Sequence, residues 1–286
     1  MSKTTIVAVA NQKGGTGKST TAHAVGTVLA DRGRRVLLVD FDPQSSLTDN
    51  TGTEIAEGSA TVYDALAQAR ATGDIADLAP YVRALGERLD LLPADIGLGQ
   101  AEMELQSAVR REYVLQQALD PAADVYDVVL IDCAPSLGLL TINALTAATE
   151  VIIPVSPEYP AVRGLRLILD SLQTIRRTRL NPRLAARGVV LTMVDARTNH
   201  GRTMVQTVKD GLGAVPLLGE VKRAVAVSEA AERGLSITRY APQSETAQAY
   251  ERIADDLLAA WGLDADAGAH NSPHDRMRME VADGAH

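Results

Sequence analysis

Cysteine is nearly absent from this sequence, with Cys133 the only one among 286 residues. A lone thiol cannot close a disulfide or hold an iron-sulfur cluster within one chain, which excludes a disulfide-stapled scaffold and fits a reducing cytosol. Aromatic residues amount to 3%, with one Trp and one Phe. No apolar run approaches the roughly 18 residues that a membrane-crossing helix needs. Met1 to Thr5 shows no charged segment followed by an apolar stretch, so no secretory leader is expected. An excess of positive charge is also missing: 28 Lys plus Arg face 36 Asp plus Glu, for a formal charge of -8. That balance excludes a protein that coats nucleic acid with its whole surface, but not one with a local basic patch. What is present is apolar material, 46% of the chain, enough to offset the ordering entropy of a folded domain.

The charge is unevenly spread. Between Arg176 and Arg239 there are 12 Lys plus Arg against 5 Asp plus Glu, a local +7 that leaves -15 for the remainder. Short β-branched runs alternate with helical patterns. Thr4 to Ala10, Arg35 to Asp40, Val125 to Asp132, Val151 to Val155 and Gly188 to Val194 are almost continuously apolar, as strands buried on both faces are. Between them, Ser19 to Arg32, Leu137 to Ala148, Gly164 to Ile175 and Glu245 to Trp261 carry apolar residues at helical spacing. Leu89 to Leu92 reads as a further strand and Gly97 to Leu119 as a helix, while the boundaries within Thr51 to Asp90 are not defined by the pattern. The alternation predicts an α/β fold, a doubly wound and mostly parallel sheet flanked by helices. One domain is expected over residues 1–262, followed by a disordered tail over 263–286. His270 and His274 in that tail have ligand spacing, but no helical pattern supports a metal site there.

The most informative stretch is Lys13-Gly14-Gly15-Thr16-Gly17-Lys18-Ser19-Thr20, between a buried strand and a helix. A glycine-rich turn in that context lets backbone N–H groups converge on phosphate oxygens, and the helix adds its positive end. Lys18 is expected to reach the β- and γ-phosphates, and the Ser19 hydroxyl to bind Mg²⁺. A strict P-loop begins with Gly where this chain has Gln12, and a second lysine, Lys13, stands beside it.

Two further strands end in acids, Val36 to Asp40 with Asp42 just beyond, and Val128 to Asp132. Ligands of parallel sheets bind at the carboxyl ends of the strands. Asp132 is therefore expected in the Mg²⁺ shell, and Asp40 or Asp42 at the metal or the attacking water. Cys133 follows an apolar strand with no His nearby in sequence, and reads as a buried small hydrophobe.

Taken together, Lys13 to Thr20, Asp40-Phe41-Asp42-Pro43-Gln44 and Ile131-Asp132-Cys133-Ala134-Pro135-Ser136-Leu137-Gly138 closely resemble the ParA/Soj partition ATPases. The likeness continues through Glu158-Tyr159, Thr192-Met193, Arg197-Thr198-Asn199 and Ser228-Glu229-Ala230, over about residues 1–260. It implies a P-loop fold of the deviant Walker A type, with ATP and Mg²⁺ as ligands. Lys13 matches the signature lysine that reaches across an ATP-sandwiched homodimer, with small residues such as Gly14 allowing the approach. Asp42 matches a switch aspartate needed for hydrolysis, and Asp132 with Pro135 to Gly138 a second switch.

The resemblance further implies non-specific binding of double-stranded DNA by the ATP dimer, a ParB-like centromere-binding partner that stimulates slow hydrolysis, and a cytoplasmic, nucleoid-associated location. Arg197, Arg202, Lys222 and Arg223 are the candidate phosphate contacts. Val221-Lys222-Arg223-Ala224-Val225-Ala226 departs from the Ile-Pro-Arg-Asn-Val-Arg of relatives, losing an Asn and one Arg. The first strand starts within the opening residues, so the helix-turn-helix of longer relatives is not expected. Placing a protein cargo such as a microcompartment over the nucleoid is the alternative with nearly the same chemistry. A MinD-like membrane regulator needs an amphipathic C-terminal helix, whose apolar face Ala265 to His286 lacks. A ligase or electron carrier of the same loop class needs a second-substrate site or cluster cysteines, neither of which is evident.

Overall fold

The computed structural model describes residues 4–158, 161–195 and 197–263. In chain order these form β1 (Thr5–Val9), α1 (Lys18–Asp31), β2 (Val36–Phe41), α2 (Ser46–Asn50), α3 (Val62–Thr72), β3 (Arg83–Ala84), β4 (Leu89–Leu92), α4 (Leu98–Leu105), α5 (Val114–Leu119) and α6 (Ala122–Val125). They continue with β5 (Val128–Cys133), α7 (Leu139–Ala147), β6 (Glu150–Val155), α8 (Ala161–Arg177), β7 (Ala185–Val194), α9 (Asn199–Gly211), β8 (Leu217–Lys222), α10 (Ala226–Glu232), α11 (Ile237–Tyr240) and α12 (Glu245–Trp261).

The strands make one eight-stranded sheet in the order β3-β4-β2-β5-β1-β6-β7-β8, parallel except for the short β3. Alternation of side chains explains the two layers of helices. Val7 and Val9, Val36 and Leu38, and Val128 and Leu130 pack into one apolar cluster with α1 and α12. Ala8, Leu37, Val39, Val129 and Ile131 point the other way, into a cluster with α3, α5, α7 and α8. The expected doubly wound architecture is thus present. The central strands read as unbroken apolar runs because both of their faces are covered. Gly26 sets the closeness of α1: a Cβ there would stand 2.6 Å from Leu38 Cδ2.

The structure departs from the sequence reading in places with physical causes. Gly97 to Leu119 is not one helix. It breaks after Leu105 and restarts at Val114, with Arg110 at φ 54 between. The buried Asn143 of α7 takes over the backbone there, donating to the Arg111 carbonyl at 2.8 Å and accepting from the Leu115 N–H at 3.1 Å. A side chain from another helix thus satisfies groups that a continuous helix would pair internally. Strand β8 was not anticipated; its burial alternates poorly because it lies at the sheet edge. Leu263, assigned by sequence to the tail, belongs to the fold. Gly262 ends α12 in a left-handed turn, and Leu263 folds back with 9% exposure. The remaining tail, 264–286, with His270 and His274, lies outside the described residues. Among the described residues no helix is long and apolar enough to cross a membrane.

Candidate nucleotide-binding site

The register of the sheet brings three sequence-distant motifs to one place. Asp132 is opposite Val9 on β1 and opposite Asp40 on β2, so both acidic strand ends flank the loop that leaves β1. That loop enters α1 through Gly17, whose φ of 79 is a conformation that favours glycine. A Cβ on Gly17 would meet Thr192 at 3.5 Å, an ordinary contact, so the backbone conformation rather than space calls for glycine. No side chain caps the start of α1, so the first-turn N–H groups and the positive end of the helix are available to an anion. The loop is held from outside: Thr192 Oγ1 donates to the Thr16 carbonyl at 2.8 Å, and Asn11 Nδ2 to the Pro154 carbonyl at 2.6 Å.

Lys18 is buried at 7% exposure, and Asp132 is fully buried with neither carboxylate oxygen hydrogen-bonded. Burial, with the nearby Asp40 charge second, pushes the Asp132 carboxyl well above the ordinary carboxylate range, while Ser19 and Lys18 act in the opposite direction. A bare carboxylate beside a serine hydroxyl is an oxygen donor set of the kind a hard divalent cation takes. An orphaned pair of buried oxygens is costly in any structure and calls for such a partner.

The two acids at the end of β2 separate clearly. Asp40 Oδ2 accepts from the Thr48 N–H at 2.8 Å and the Thr48 hydroxyl at 2.7 Å, and Oδ1 from the Asp42 N–H at 3.3 Å. Asp40 therefore pins α2 to the sheet; burial raises its pKa to about 6 against the pull of those donors. The Asp42 carboxylate, on a residue 7% exposed, accepts among the described residues only from the Gln44 N–H, at 3.0 Å through Oδ1. Of the two, Asp42 keeps an oxygen for other work. Cys133 is fully buried, its thiol pushed far up by burial, which removes it as a nucleophile.

Two cavities flank the loop. One, of about 200 Å³, lies against Gly17 and is lined by Thr192, Met193, Val221, Ala224 and Tyr250 among others. Met193 sits at φ 54 where β7 and β8 lose register, an uncommon backbone for such a side chain. Sequence reasoning assigned no residues to this cavity, and no spacing rule singles out Thr192-Met193 as part of its lining. The other, of about 390 Å³, opens on the Lys13 side, against Asn11, Ser156, Arg163 and Leu167.

The four candidate DNA contacts are all engaged within the chain. Arg197 makes a two-pronged pair with Asp195 at 2.8 Å on each side, and Arg202 bonds to Asn199. Lys222 pairs with Glu245 at 2.6 Å and Arg223 with Glu158 at 3.1 Å. The Asp195 carboxyl is held well below the ordinary range, first by Arg197 and also by the charge of Arg223. Arg197, Arg223 and Lys13 therefore lie along one rim with Asp195 and Glu158 between them, while Lys222 turns toward α12. A further exposed set was not among the four: Arg177, Arg179 and Arg183, within the +7 segment, and Arg163 and Arg166, outside it, make no ion pair among the described residues.

Comparison with known proteins identifies the family. A family model described as an AAA domain matches residues 4–186. The chain is 43% identical over 254 residues to the sporulation initiation inhibitor protein Soj of Bacillus subtilis, covering 89% of this chain and 98% of that one. It is 39% identical over 256 residues to the chromosome partitioning protein ParA of Caulobacter vibrioides, covering 89% and 94% respectively. A solved structure from Mycobacterium smegmatis, named as a cobyrinic acid a,c-diamide synthase with bound ADP and magnesium, aligns with a TM-score of 0.77 at 37% identity. It covers 91% of this chain and 96% of its own.

Proposed function

This chain belongs to the ParA/Soj family of P-loop ATPases, and on that footing we propose that it is an ATP-dependent partitioning ATPase whose ATP-bound homodimer binds double-stranded DNA without sequence preference. The observation that carries the reading is the meeting of the uncapped α1 start, buried Lys18 and unpartnered Asp132 at one point of the sheet.

Each residue then has a task. Backbone N–H groups of Gly14, Gly15, Thr16, Gly17 and Thr20, with Lys18, bind the phosphates of ATP. Ser19 and Asp132, with Asp42 at the rim, are the residues that hold Mg²⁺, which when bound neutralises phosphate charge. Asp42 orients the attacking water through its uncommitted oxygen. The cavity beside Gly17 takes the adenine base between Met193 and the β8 end. Lys13, 38% exposed, is the residue that meets the nucleotide of a second copy. Gly14 supports close approach from outside: a Cβ there would meet nothing in its own chain nearer than Pro135 at 4.0 Å.

Phosphate contacts from a basic surface make DNA affinity fall steeply with salt, and dimerisation doubles the surface. A ParB-like partner that stimulates hydrolysis and resets the cycle completes the scheme. The synthase name of the solved relative points to a different use of the same nucleotide chemistry; the two curated relatives at 39% and 43% identity favour partition.

Phosphate release with ATP alone, with DNA, and with DNA plus a ParB-like protein tests the proposal. Slow release that rises with both additions is expected, and Lys18→Ala abolishes it together with ATP binding. Wild-type rates in that variant refute the phosphate site, and ATP consumption matched by amide formation from an added carboxylic acid and ammonia replaces partition by ligation.

A further inference from the structure

One carboxylate on the rim of the phosphate loop serves two cations. Glu158, between β6 and α8, accepts from Lys13 Nζ through Oε2 at 3.1 Å and from Arg223 Nη2 through Oε1 at 3.1 Å. Lys13 belongs to the loop after β1 and Arg223 to the end of β8, three positions away across the sheet. The side chains of Lys13, Glu158 and Arg223 are 38%, 53% and 59% exposed. Ion pairs so open to water contribute little to folding, so stability does not account for the arrangement.

The roots of all three side chains are nevertheless fixed. The Lys13 N–H donates to Asn11 Oδ1 at 3.0 Å, and Asn11 is itself tied to the β6 exit through Pro154. The Glu158 carbonyl accepts from the Ala161 N–H at the start of α8, at 2.6 Å. The Arg223 N–H donates to the Val194 carbonyl at the end of β7, at 3.1 Å. The meeting is thus built by backbone placement rather than by two long side chains wandering together. The Glu158 carboxyl is held below its ordinary range, with Lys13 the largest cause and Arg223 contributing.

In the partition reading, on which this inference rests, both cations have phosphate as their working ligand: Lys13 the nucleotide of a second copy, Arg223 the DNA backbone. We propose that Glu158 is a positioning residue that occupies Lys13 and Arg223 until phosphate displaces it, and so suppresses self-association and DNA binding in the absence of ATP. The carboxylate acts by neutralising the two cations. Because both pairs are exposed, exchange for phosphate meets only a small barrier of lost interaction, as a reversible device requires. Arg223 also feels Asp195, so the rim as a whole presents balanced charge until phosphate arrives.

The test compares full-length wild type, Glu158→Gln and Asp170→Asn. Asp170 is an exposed α8 carboxylate with no ion pair among the described residues, so its variant controls for the bare loss of one negative charge. Sedimentation across an ATP titration gives the midpoint of dimerisation, and anisotropy of a short random-sequence duplex, with and without ATP across a salt series, gives DNA affinity. Glu158→Gln should lower the ATP midpoint and raise nucleotide-free DNA affinity, each by about two- to fivefold, the size of an exposed charged pair, beyond any change in Asp170→Asn. In an Arg223→Ala background the gain in DNA affinity should vanish while the shift in ATP midpoint remains, and in Lys13→Ala the reverse. Glu158→Gln matching Asp170→Asn in both assays, or gains that survive removal of the paired cation, overturn the proposal while leaving the partition reading intact. Wild type that neither dimerises with ATP nor binds the duplex overturns the partition reading, and the proposal falls with it.

Discussion

Replacing Asp132 by Asn should make the nucleotide-free protein more stable and the enzyme inactive. Asp132 is fully buried, at 0% accessibility, and neither of its oxygens is satisfied by a well-formed hydrogen bond, although the Ser19 hydroxyl is near enough to favour the charged form. Burial, then the charge of Asp40, raises its folded-state pKa well above the ordinary carboxylate value. The sign follows from proton linkage. Between the unfolded pKa and the raised folded one, the folded state binds the extra proton, so stability falls as pH rises through that window and levels off above it. The Asn variant cannot titrate, so its advantage is absent near pH 3, grows as pH rises, and is largest at pH 8. A buried unsatisfied polar group costs about 1–3 kcal/mol, more when charged. The amide retains part of that cost, so a gain of about 2 kcal/mol at pH 8 is expected, some 4–8 °C in midpoint at about 2–4 °C per kcal/mol for a chain somewhat larger than 150–250 residues.

Thermal denaturation from pH 3 to 8, without nucleotide and with ATP and Mg²⁺, measures both halves of the expectation. Ligands that bind only the folded state stabilise by mass action, about 2.7 kcal/mol at a hundredfold excess over Kd. Wild type should show that increment and the variant should lose the part that depends on Mg²⁺, together with phosphate release. An Asn variant less stable than wild type at pH 8 without nucleotide, or one that hydrolyses ATP normally, refutes the assignment of Asp132 as a carboxylate kept for a cation. The trade of stability for activity at one residue is the mark of a site rather than of a packing defect.

Asp42→Ala should bind ATP, fail to release phosphate and accumulate as a DNA-bound dimer; sedimentation showing only monomer with ATP contradicts the switch role. Thr48→Val removes the hydroxyl donor to Asp40 and leaves the buried carboxylate with the backbone N–H groups of residue 48 and of Asp42; a charge-assisted bond of this kind is worth about 1.5–3 kcal/mol, read by urea unfolding at pH 8. Because burial raises the Asp40 pKa to about 6, that penalty should shrink below pH 5, where the carboxyl is protonated and needs fewer donors. The double change Lys222→Glu, Arg223→Glu should weaken DNA binding with ATP-dependent dimerisation retained; an unchanged salt dependence transfers the phosphate contacts to Arg177, Arg179 and Arg183.

The parts legible in the sequence were those where a local pattern has one physical solution. A strand buried on both faces, followed by a glycine-rich turn and a helix, leaves little choice for Gly17 or Lys18, and the paired strand ends placed Asp132 and Asp42 beside them. The helix break near Arg110 was not legible, because the groups that permit it sit on Asn143, more than thirty positions away. Nor could spacing tell Asp40 from Asp42. Both lie at the end of the same strand, and only the hydrogen bonds show that the first has both oxygens engaged while the second has one.

Charge shows the same limit most sharply. Counting residues locates +7 between Arg176 and Arg239 and invites the conclusion that its cations are waiting for phosphate. Three of the four picked out there are instead held by carboxylates, and two of those, Glu158 and Glu245, lie outside the counted segment. A local count therefore measures the supply of cations and not their availability. Availability depends on which acids the fold brings back to them, and here the fold returns Glu158 to the very rim that Lys13 occupies. A surface that is basic by composition but neutralised by geometry can acquire affinity only when something competes successfully for its cations. Polyphosphate and duplex DNA, both of higher charge density than a carboxylate, are ligands of that kind.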